Sequence, residues 1–208
     1  MLKLRFISAR HDSRPMAKST DFQTTASLTG QLLVAMPQMK DARFERTVIY
    51  LCAHSKEGAL GLVVNRPFKK LTFPALLDQL EIARGPDTRP IRVLAGGPVE
   101  EGRGFVLHSD DYVREDTLKV DGGFALTATI EILKALAKGE GPRRSILALG
   151  YSGWGPGQLE REITDNGWLN VPADPSLVFD ETLDTKWERA LGKLRLTPTS
   201  LSGVAGHA

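Results

Sequence analysis

Two apolar segments of strand length, separated by only four residues, constrain the fold of this chain more than any other feature. Residues 47–54 read TVIYLCAH and residues 59–65 read ALGLVVN, with SKEG at residues 55–58 between them. A connection of this length is typical of a β-hairpin, in which the two strands pair antiparallel. The hairpin favours an α+β fold over a doubly wound parallel sheet.

The remaining periodicity predicts more strands than helices. Strand-length apolar runs occupy residues 28–36, 91–95, 104–108, 117–120 and 145–149. Helices are predicted from an N-cap at Thr72 to before Gly85, over residues 126–138 with Gly139 as the end, over residues 158–163, and after an N-cap at Asp184, with a stripe of Trp187, Leu191 and Leu194. Residues 166–179 are predicted to be irregular.

Charge separates the first 15 residues from the rest of the chain. Residues 1–15 carry four basic side chains and one acidic side chain, whereas the remaining residues carry 23 basic and 24 acidic side chains. A nearly neutral body makes direct nucleic-acid binding unfavourable, because phosphate neutralisation supplies most of the non-specific affinity. We expect residues 1–27 to be a disordered extension and residues 28–208 to form a single domain. Residues 1–27 are rich in Arg, Ser and Thr and poor in acidic residues, which fits a transit peptide; alternatively, the first 15 residues are an extension upstream of a start at Met16.

Cysteine content and hydropathy indicate the cellular compartment in which the protein resides. The single cysteine, Cys52, can form no intramolecular disulfide, and no apolar run approaches the ~20 residues that span a bilayer. We therefore expect a cytoplasmic protein without membrane attachment. His54 and His108 each end a predicted strand, but no closely spaced histidine pair indicates a metal site. The sequence predicts no metal and no cofactor.

A glycine-rich segment, GYSGWGPGQLEREI at residues 150–163, follows the predicted strand at residues 145–149. We expect it to form a turn of four glycines that leads into a helix. Such a turn can hold a nucleophile, and Ser152 is the candidate, but Trp154 stands where a nucleophile elbow has glycine. The alternative is a turn that needs glycine for its backbone geometry alone.

The same segment can bind a small anion. Gly155 lies at a helix start, where free N–H groups and the helix dipole favour negative charge, although the Lys-Ser/Thr of a P-loop is absent. Arg66, after the third strand, is the cation that we pair with such an anion. We expect one pocket between loops at strand ends, with a wall at Gly96-Gly97-Pro98, and Trp154 either lines this pocket or plugs its mouth. The predicted ligand-binding residues are Asn65, Arg66, Gly96, Gly97, Gly150, Trp154, Gly155 and Gln158.

Cys52 and His54 form a second candidate site. They are two residues apart on a predicted strand, so their side chains share one face. A neighbouring imidazolium can lower the pKa of a thiol and make it reactive. Against this, a lone cysteine in an apolar strand is usually a small buried hydrophobic residue.

Several motifs occur in the order and spacing of a known family. They are GQLLVAM (30–36), FERTVIYLC (44–52), GALGLVVNRP (58–67), GGPV (96–99), RGFVLH (103–108), GYSGWGPGQLERE (150–162), Trp168-Leu169 and a terminal GHA. On these motifs the chain resembles the YqgE/AlgH family. The resemblance implies an α+β fold in which a strongly bent, mostly antiparallel sheet forms a pseudo-barrel flanked by helices. It also implies a bacterial, cytosolic and uncharacterised protein, with some members described as transcriptional regulators on genetic grounds, and it supplies no catalytic residues.

These observations favour a non-enzymatic binding or regulatory protein. Glycine and polar residues gather at predicted strand ends without a coherent catalytic set, so we expect a protein partner or a small anionic ligand there. The alternative is a small hydrolase or a thiol-dependent enzyme that uses Ser152 or Cys52. A regulator that binds DNA directly is disfavoured, because the sequence shows neither a recognition helix nor a basic stripe.

Overall fold

Antiparallel pairing dominates the fold, as the short hairpin predicted. A computed structural model describes residues 5–6, 27–198 and 201 of the chain. Strand β2 (Val48–Ser55) pairs antiparallel with strand β3 (Gly58–Val63), so the predicted hairpin is confirmed. The expectation of disorder in residues 1–27 falls mostly outside the described residues.

The other elements follow along the chain. The strands are β1 (Gln31–Ala35), β4 (Arg92–Ala95), β5 (Val99–Ser109), β6 (Leu118–Val120), β7 (Phe124–Thr127), β8 (Ser145–Trp154) and β9 (Trp168–Pro172). The helices are α1 (Phe73–Gln79), α2 (Ile130–Lys138), α3 (Gln158–Thr164), α4 (Pro175–Val178) and α5 (Lys186–Gly192).

The nine strands within the described residues form one sheet. Their order is β6-β7-β5-β8-β3-β2-β1-β9, and β4 lies beside β8. Strand β4 runs parallel to β8, whereas the neighbours along the rest of the sheet run antiparallel. The sheet is strongly curled into a half-barrel, which confirms the predicted α+β class and the bent, mostly antiparallel sheet.

Strand β8 joins the two halves of this sheet. Its first half pairs with β4 and β5, and its last three residues pair with β3. Between these regions Gly150 has φ +73°, and a Cβ atom there would lie 2.4 Å from the carbonyl oxygen of Gly97. Glycine satisfies both conditions because it has no Cβ. The predicted turn of four glycines is therefore wrong at its start, since pairing with β3 keeps the chain extended as far as Trp154.

Both faces of the sheet are buried, which explains why its strands read as continuous apolar runs. In β1, Leu32 and Val34 lie in one apolar cluster while Leu33 and Ala35 lie in another, and all four are fully buried. The first cluster takes residues from all nine strands and from α4 and α5. Helix α3 contributes to the second, and α1 and α2 pack on β4, β5 and β8 in a third.

Local signals placed some helix ends correctly. Thr72 caps α1 by accepting a hydrogen bond from Ala75 N at 3.4 Å, and Gly139 ends α2 in the left-handed conformation, both as predicted. Helix α2 begins at Ile130, however, because Leu126 belongs to β7, where it pairs with Leu107 of β5. Within the described residues, no helix is both long and apolar enough to cross a membrane.

The C-terminal part of the chain departs most from the sequence predictions. Strand β9 and helix α4 lie within residues 166–179, which were predicted to be irregular. Strand β9 exists because it pairs with β1 from the other end of the described chain, a contact that local periodicity cannot reveal. The cap of α5 is Thr185 rather than Asp184, and Leu194 follows the end of that helix.

Candidate functional site

A cleft with a volume of about 360 Å³ opens where the ends of β8 and α3 meet two loops. We call it the aromatic cleft. Its walls come from the loop after β1, the start of β5, the end of β8, helix α3 and the turn before β9. The lining residues are Met39, Asp41, Arg43, Phe44, Pro98, Val99, Gly153, Trp154, Gln158, Glu162, Asp165, Gly167 and Trp168.

Three aromatic rings stand edge to face along the cleft. The ring centroids of Trp154 and Trp168 are 6.0 Å apart with an interplanar angle of 82°. Phe44 meets Trp168 at 5.5 Å and 74°. The Arg43 guanidinium lies 5.8 Å from the centroid of Phe44. Phe44 is half-buried, whereas Trp154 and Trp168 are only 7 % and 2 % exposed. Phe44 therefore offers most of the aromatic surface that an alkyl chain or a cation can contact.

Glu162 fixes the orientation of both indole rings. Its Oε2 accepts from Trp154 Nε1 at 2.9 Å and from Trp168 Nε1 at 2.8 Å, while its Oε1 accepts from Gln158 Nε2 at 2.8 Å. The oxygen of the Gln158 amide in turn accepts from Gly155 N at 3.0 Å. Hydrogen bonds to a carboxylate are stronger than those between neutral groups. The rings are therefore held in place without a ligand.

The local sequence explains how these side chains converge. Gln158 and Glu162 are four residues apart on α3, so they share one helix face. Trp154 is the last residue of β8 and pairs with Ala59, whereas Trp168 is the first residue of β9 and pairs with Ala35. Strands β8 and β9 thus position the two tryptophans, and helix α3 positions Glu162, which accepts their hydrogen bonds.

The cleft is acidic. The carboxylates of Asp41, Glu162 and Asp165 line it together with one guanidinium, that of Arg43. Arg43 is already paired with Asp41 at 2.7 Å, and its side-chain hydrogen bond lowers the pKa of the Asp41 carboxyl. Both partners of this ion pair are exposed, so water screens it. The electrostatics favour a cationic guest over an anionic one.

Two of the predicted ligand-binding residues, Trp154 and Gln158, line the cleft. Arg66 instead donates from Nη2 to the carbonyl oxygens of Ala42 and Glu45, at 3.2 and 2.8 Å. Arg66 therefore supports, from behind, the loop that carries Asp41, Arg43 and Phe44.

Asn65 supports the same loop. Its Oδ1 accepts from Val48 N at 2.9 Å, and its Nδ2 donates to the carbonyl of Arg46 at 2.9 Å. Neither Asn65 nor Arg66 is among the residues that line the cleft.

The predicted glycines act mainly through close packing. A Cβ atom on Gly96 would lie 2.3 Å from the carbonyl oxygen of Gly150, and one on Gly97 would lie 2.2 Å from the carbonyl carbon of Tyr151. These contacts bring Pro98 and Val99, the next two residues, against the cleft. The N–H group of Gly155 already donates to Gln158 Oε1, so it is not free to bind an anion, while the cap of α3 itself, Gly157, has no side-chain hydrogen bond.

The candidate catalytic residues Cys52, His54 and Ser152 are not among the residues that line the cleft. Cys52 is 1 % exposed, and burial raises the pKa of its thiol. Ser152 is 1 % exposed, and its hydroxyl has no hydrogen-bond partner among the described residues. His54 accepts from Leu28 N at Nδ1 and bonds Glu160 Oε1 through Nε2, at 3.0 and 2.9 Å.

Sequence reasoning missed most of the cleft, including Phe44, Glu162 and Trp168. A usable signal was present, since the chain has only three tryptophans and two of them flank the acidic helix α3. The third, Trp187, is buried and donates to the carbonyl of Ala35 at 2.8 Å.

A family model and curated relatives both match this chain over most of its length. A family model described as AlgH-like matches residues 32–199. A UPF0301 protein of Methylocella silvestris is 59% identical over 191 residues, which cover 88% of this chain and 93% of that protein. A UPF0301 protein of Beijerinckia indica is 58% identical over 201 residues, which cover 93% and 98% of the two chains.

Solved structures show the same fold. The solution structure of the AlgH protein from Pseudomonas aeruginosa matches with a TM-score of 0.72 and 39% identity, covering 91% of this chain and 100% of that one. A crystal structure of a protein from Corynebacterium diphtheriae matches with a TM-score of 0.67 at 20% identity, covering 88% and 94%. The second likeness concerns the fold alone. These matches confirm the resemblance that the sequence motifs predicted.

Proposed function

Since the chain belongs to the AlgH-like family, we propose that it is a non-enzymatic binding protein whose aromatic cleft receives a basic side chain of a protein partner. The observation that carries the proposal is the network around Glu162, which holds Trp154 and Trp168 in fixed orientations beside an acidic opening. Preorganised rings lower the entropy cost of binding.

A basic side chain matches both properties of the cleft. The alkyl stem of lysine or arginine packs on aromatic rings, and its charged head is attracted to a ring face and to carboxylates. Asp165 lies at the cleft and supplies such a carboxylate, whereas Asp41 is already paired with Arg43. A small anionic ligand, the other partner suggested by the sequence, would meet three carboxylates against one guanidinium.

Two features support a binding role over the enzymatic alternative. A nucleophile needs an adjacent base and access to substrate. Ser152 and Cys52 are each 1 % exposed, and the cleft lining includes neither. The two ring nitrogens of His54 are engaged by Leu28 and Glu160.

We place the protein in the cytoplasm and propose that it regulates other processes through its protein partner rather than by binding DNA. The chain beyond residue 15 has 23 basic and 24 acidic side chains, so it offers little net attraction to phosphates. A single cysteine, buried and unpaired, fits a reducing compartment.

The test is a titration of the full chain with N-acetyl-arginine amide and N-acetyl-lysine amide, followed by calorimetry and tryptophan fluorescence. We expect saturable binding with a Kd on the order of 1 mM, because one cation–π contact and one carboxylate supply only a few kcal/mol. Trp187 is buried away from the cleft and gives a constant background.

Matched aspartate variants locate the binding. Asp165→Asn removes a charge at the cleft and should weaken binding about threefold to tenfold. Asp78→Asn removes an exposed charge outside the cleft, where it pairs with Arg84 at 3.5 Å, and should leave the Kd unchanged. Failure of both amides to bind, or equal effects of the two variants, would overturn the proposal. Binding of inorganic phosphate in their place would support the anionic ligand instead.

A further inference from the structure

Arg5 forms an isolated β-bridge with the edge of β5. Arg5 N donates to the carbonyl of Gly102 at 2.6 Å, and Gly104 N donates to the carbonyl of Arg5 at 3.1 Å. These two hydrogen bonds make a parallel bridge between Arg5 and Arg103. The contact is main chain to main chain, which is how extended peptides add to an exposed sheet edge.

This part of β5 is available because its neighbours end early. Strand β7 pairs with β5 only between Val106 and Ser109 of the longer strand. On the β8 side, the pairing is irregular between Val99 and Gly104. The stretch that includes residues 102–104 is therefore a sheet edge, and unpaired edges are templates for another strand.

The next residue supplies a side-chain anchor. A Cβ atom on Gly104 would lie only 1.9 Å from Cζ of Phe6, and the three nearest atoms all belong to that ring. Gly104 thus leaves the space that the phenyl ring fills. Phe6 also packs, partly buried, on the apolar cluster formed by α1, α2 and the strands beneath them.

Charge at this edge suits a basic peptide. Residues 1–15 carry four basic side chains and one acidic side chain. Glu100 and Glu101 lie exposed beside the edge, and Glu100 pairs with Arg103 at 3.0 Å. Glu101 is exposed to solvent, where its carboxylate can attract a cation.

We propose that the edge at residues 102–104 is a docking site for an extended peptide of a partner protein, in which a basic residue is followed by an aromatic one. The chain's own Arg5-Phe6 occupies the site in cis and competes with that partner. This site is separate from the aromatic cleft, and neither proposal rests on the other.

The experiment measures fluorescence anisotropy of a labelled peptide, MLKLRFISAR, added to the full chain. We expect the peptide to bind the Phe6→Ala variant, in which the internal competitor has lost its anchor. Wild-type protein should bind it on the order of tenfold more weakly, because a tethered competitor has an effective concentration near the millimolar range. A peptide with alanine in place of its phenylalanine should not bind either protein.

A second glycine provides the matched control. Gly104→Ala, combined with Phe6→Ala, places a methyl group where the ring must lie and should abolish peptide binding. Gly192→Ala adds the same methyl group at a position with no atom within 4 Å and should change nothing. Thermal unfolding of each variant verifies that the fold is retained.

Three outcomes would overturn the proposal. The first is absence of peptide binding to Phe6→Ala. The second is equal binding to Phe6→Ala with and without Gly104→Ala. The third is a wild-type dimer, seen by light scattering and lost in Phe6→Ala, since that would make a second copy of this chain the occupant.

Discussion

The indole Nε1–H of Trp168 donates to Oε2 of Glu162 at 2.8 Å. This bond ties the first residue of β9 to helix α3. Phe44 packs edge to face on the same indole. The Glu162 carboxylate therefore positions one wall of the cleft, which is formed by the loop after β1, helix α3 and the start of β9. The stability of the fold and the shape of the cleft therefore depend on the same side chain.

Replacing Glu162 with alanine should destabilise the protein by about 3 kcal/mol, because three donors lose a charged acceptor and two of them belong to buried indoles. Urea unfolding followed by circular dichroism measures the change. Glu100→Ala is the control, since its ion pair with Arg103 is exposed and should contribute less than about 1 kcal/mol. Equal effects of the two substitutions would contradict the assigned role of Glu162.

Two glycines with similar backbone angles should respond differently to alanine. Gly150 (φ +73°) and Gly157 (φ +67°) both have left-handed backbones, which lowers the stability of an alanine variant by about 1 kcal/mol at either position. At Gly150 the new Cβ would also lie 2.4 Å from the oxygen of Gly97, whereas at Gly157 it meets only the end of the Arg161 side chain at 3.6 Å. We expect Gly150→Ala to cost at least about 3 kcal/mol or to prevent folding. Similar unfolding midpoints for the two variants would show that the β8 backbone can move away from Gly97.

Cys52 should resist alkylation in the native protein. Its thiol is buried and its pKa is raised by burial, so little reactive thiolate reaches solvent without unfolding. We expect iodoacetamide to label it at least about 100-fold more slowly at pH 8 than in 8 M urea. Mass spectrometry of the intact chain follows the reaction. Rapid native labelling would revive the thiol-dependent alternative.

Lys186 should make stability rise with pH just above neutrality. Burial lowers its pKa to about 8 from the usual 10.5, while Nζ donates to the carbonyl of Val178 at 2.8 Å. Between these two pKa values the unfolded chain binds more protons than the folded chain, so raising the pH favours folding. We expect a gain of up to about 1 kcal/mol from pH 8 to pH 9, before the raised pKa of Cys52 acts in the opposite direction.

The matched variant for this pH effect is Lys186→Met, which keeps the length of the side chain and removes the charge. Its stability should not rise between pH 8 and pH 9, and it should exceed that of the wild type at pH 7. Urea unfolding at several pH values gives both quantities. A slope shared by the variant and the wild type would assign the titration to another group.

The sequence correctly predicted features that depend on residues close together in the chain, namely one hairpin and two helix ends. The turn at residues 55–58 set the antiparallel pairing of β2 and β3, the Thr72 hydroxyl marked the start of α1, and Gly139 marked the end of α2. Each of these signals acts within a few residues. The strongly curled sheet was predicted from the family resemblance alone, because local patterns do not reveal it.

The cleft required contacts between distant segments. Phe44 and Trp168 meet because β9 pairs with β1, so no local pattern places them together. The same reason explains the error at residues 150–154, where a glycine-rich segment reads as a turn until its partner β3 is known. Asn65 and Arg66, predicted to bind a ligand, hydrogen-bond to backbone groups of the loop behind the cleft, a role that the sequence pattern did not indicate.

The pairing of β1 with β9 also has a consequence for biosynthesis. A ribosome releases β1 first among the strands and β9 last, so β1 emerges long before its edge can be covered. Pairings of such wide sequence separation are slow to form, and an uncovered apolar strand invites aggregation. The nascent protein therefore passes through a stage in which Leu33 and Ala35 lack their final cover. Premature termination before residue 168 would leave that stage permanent, because the strand that completes the sheet, β9, begins only there.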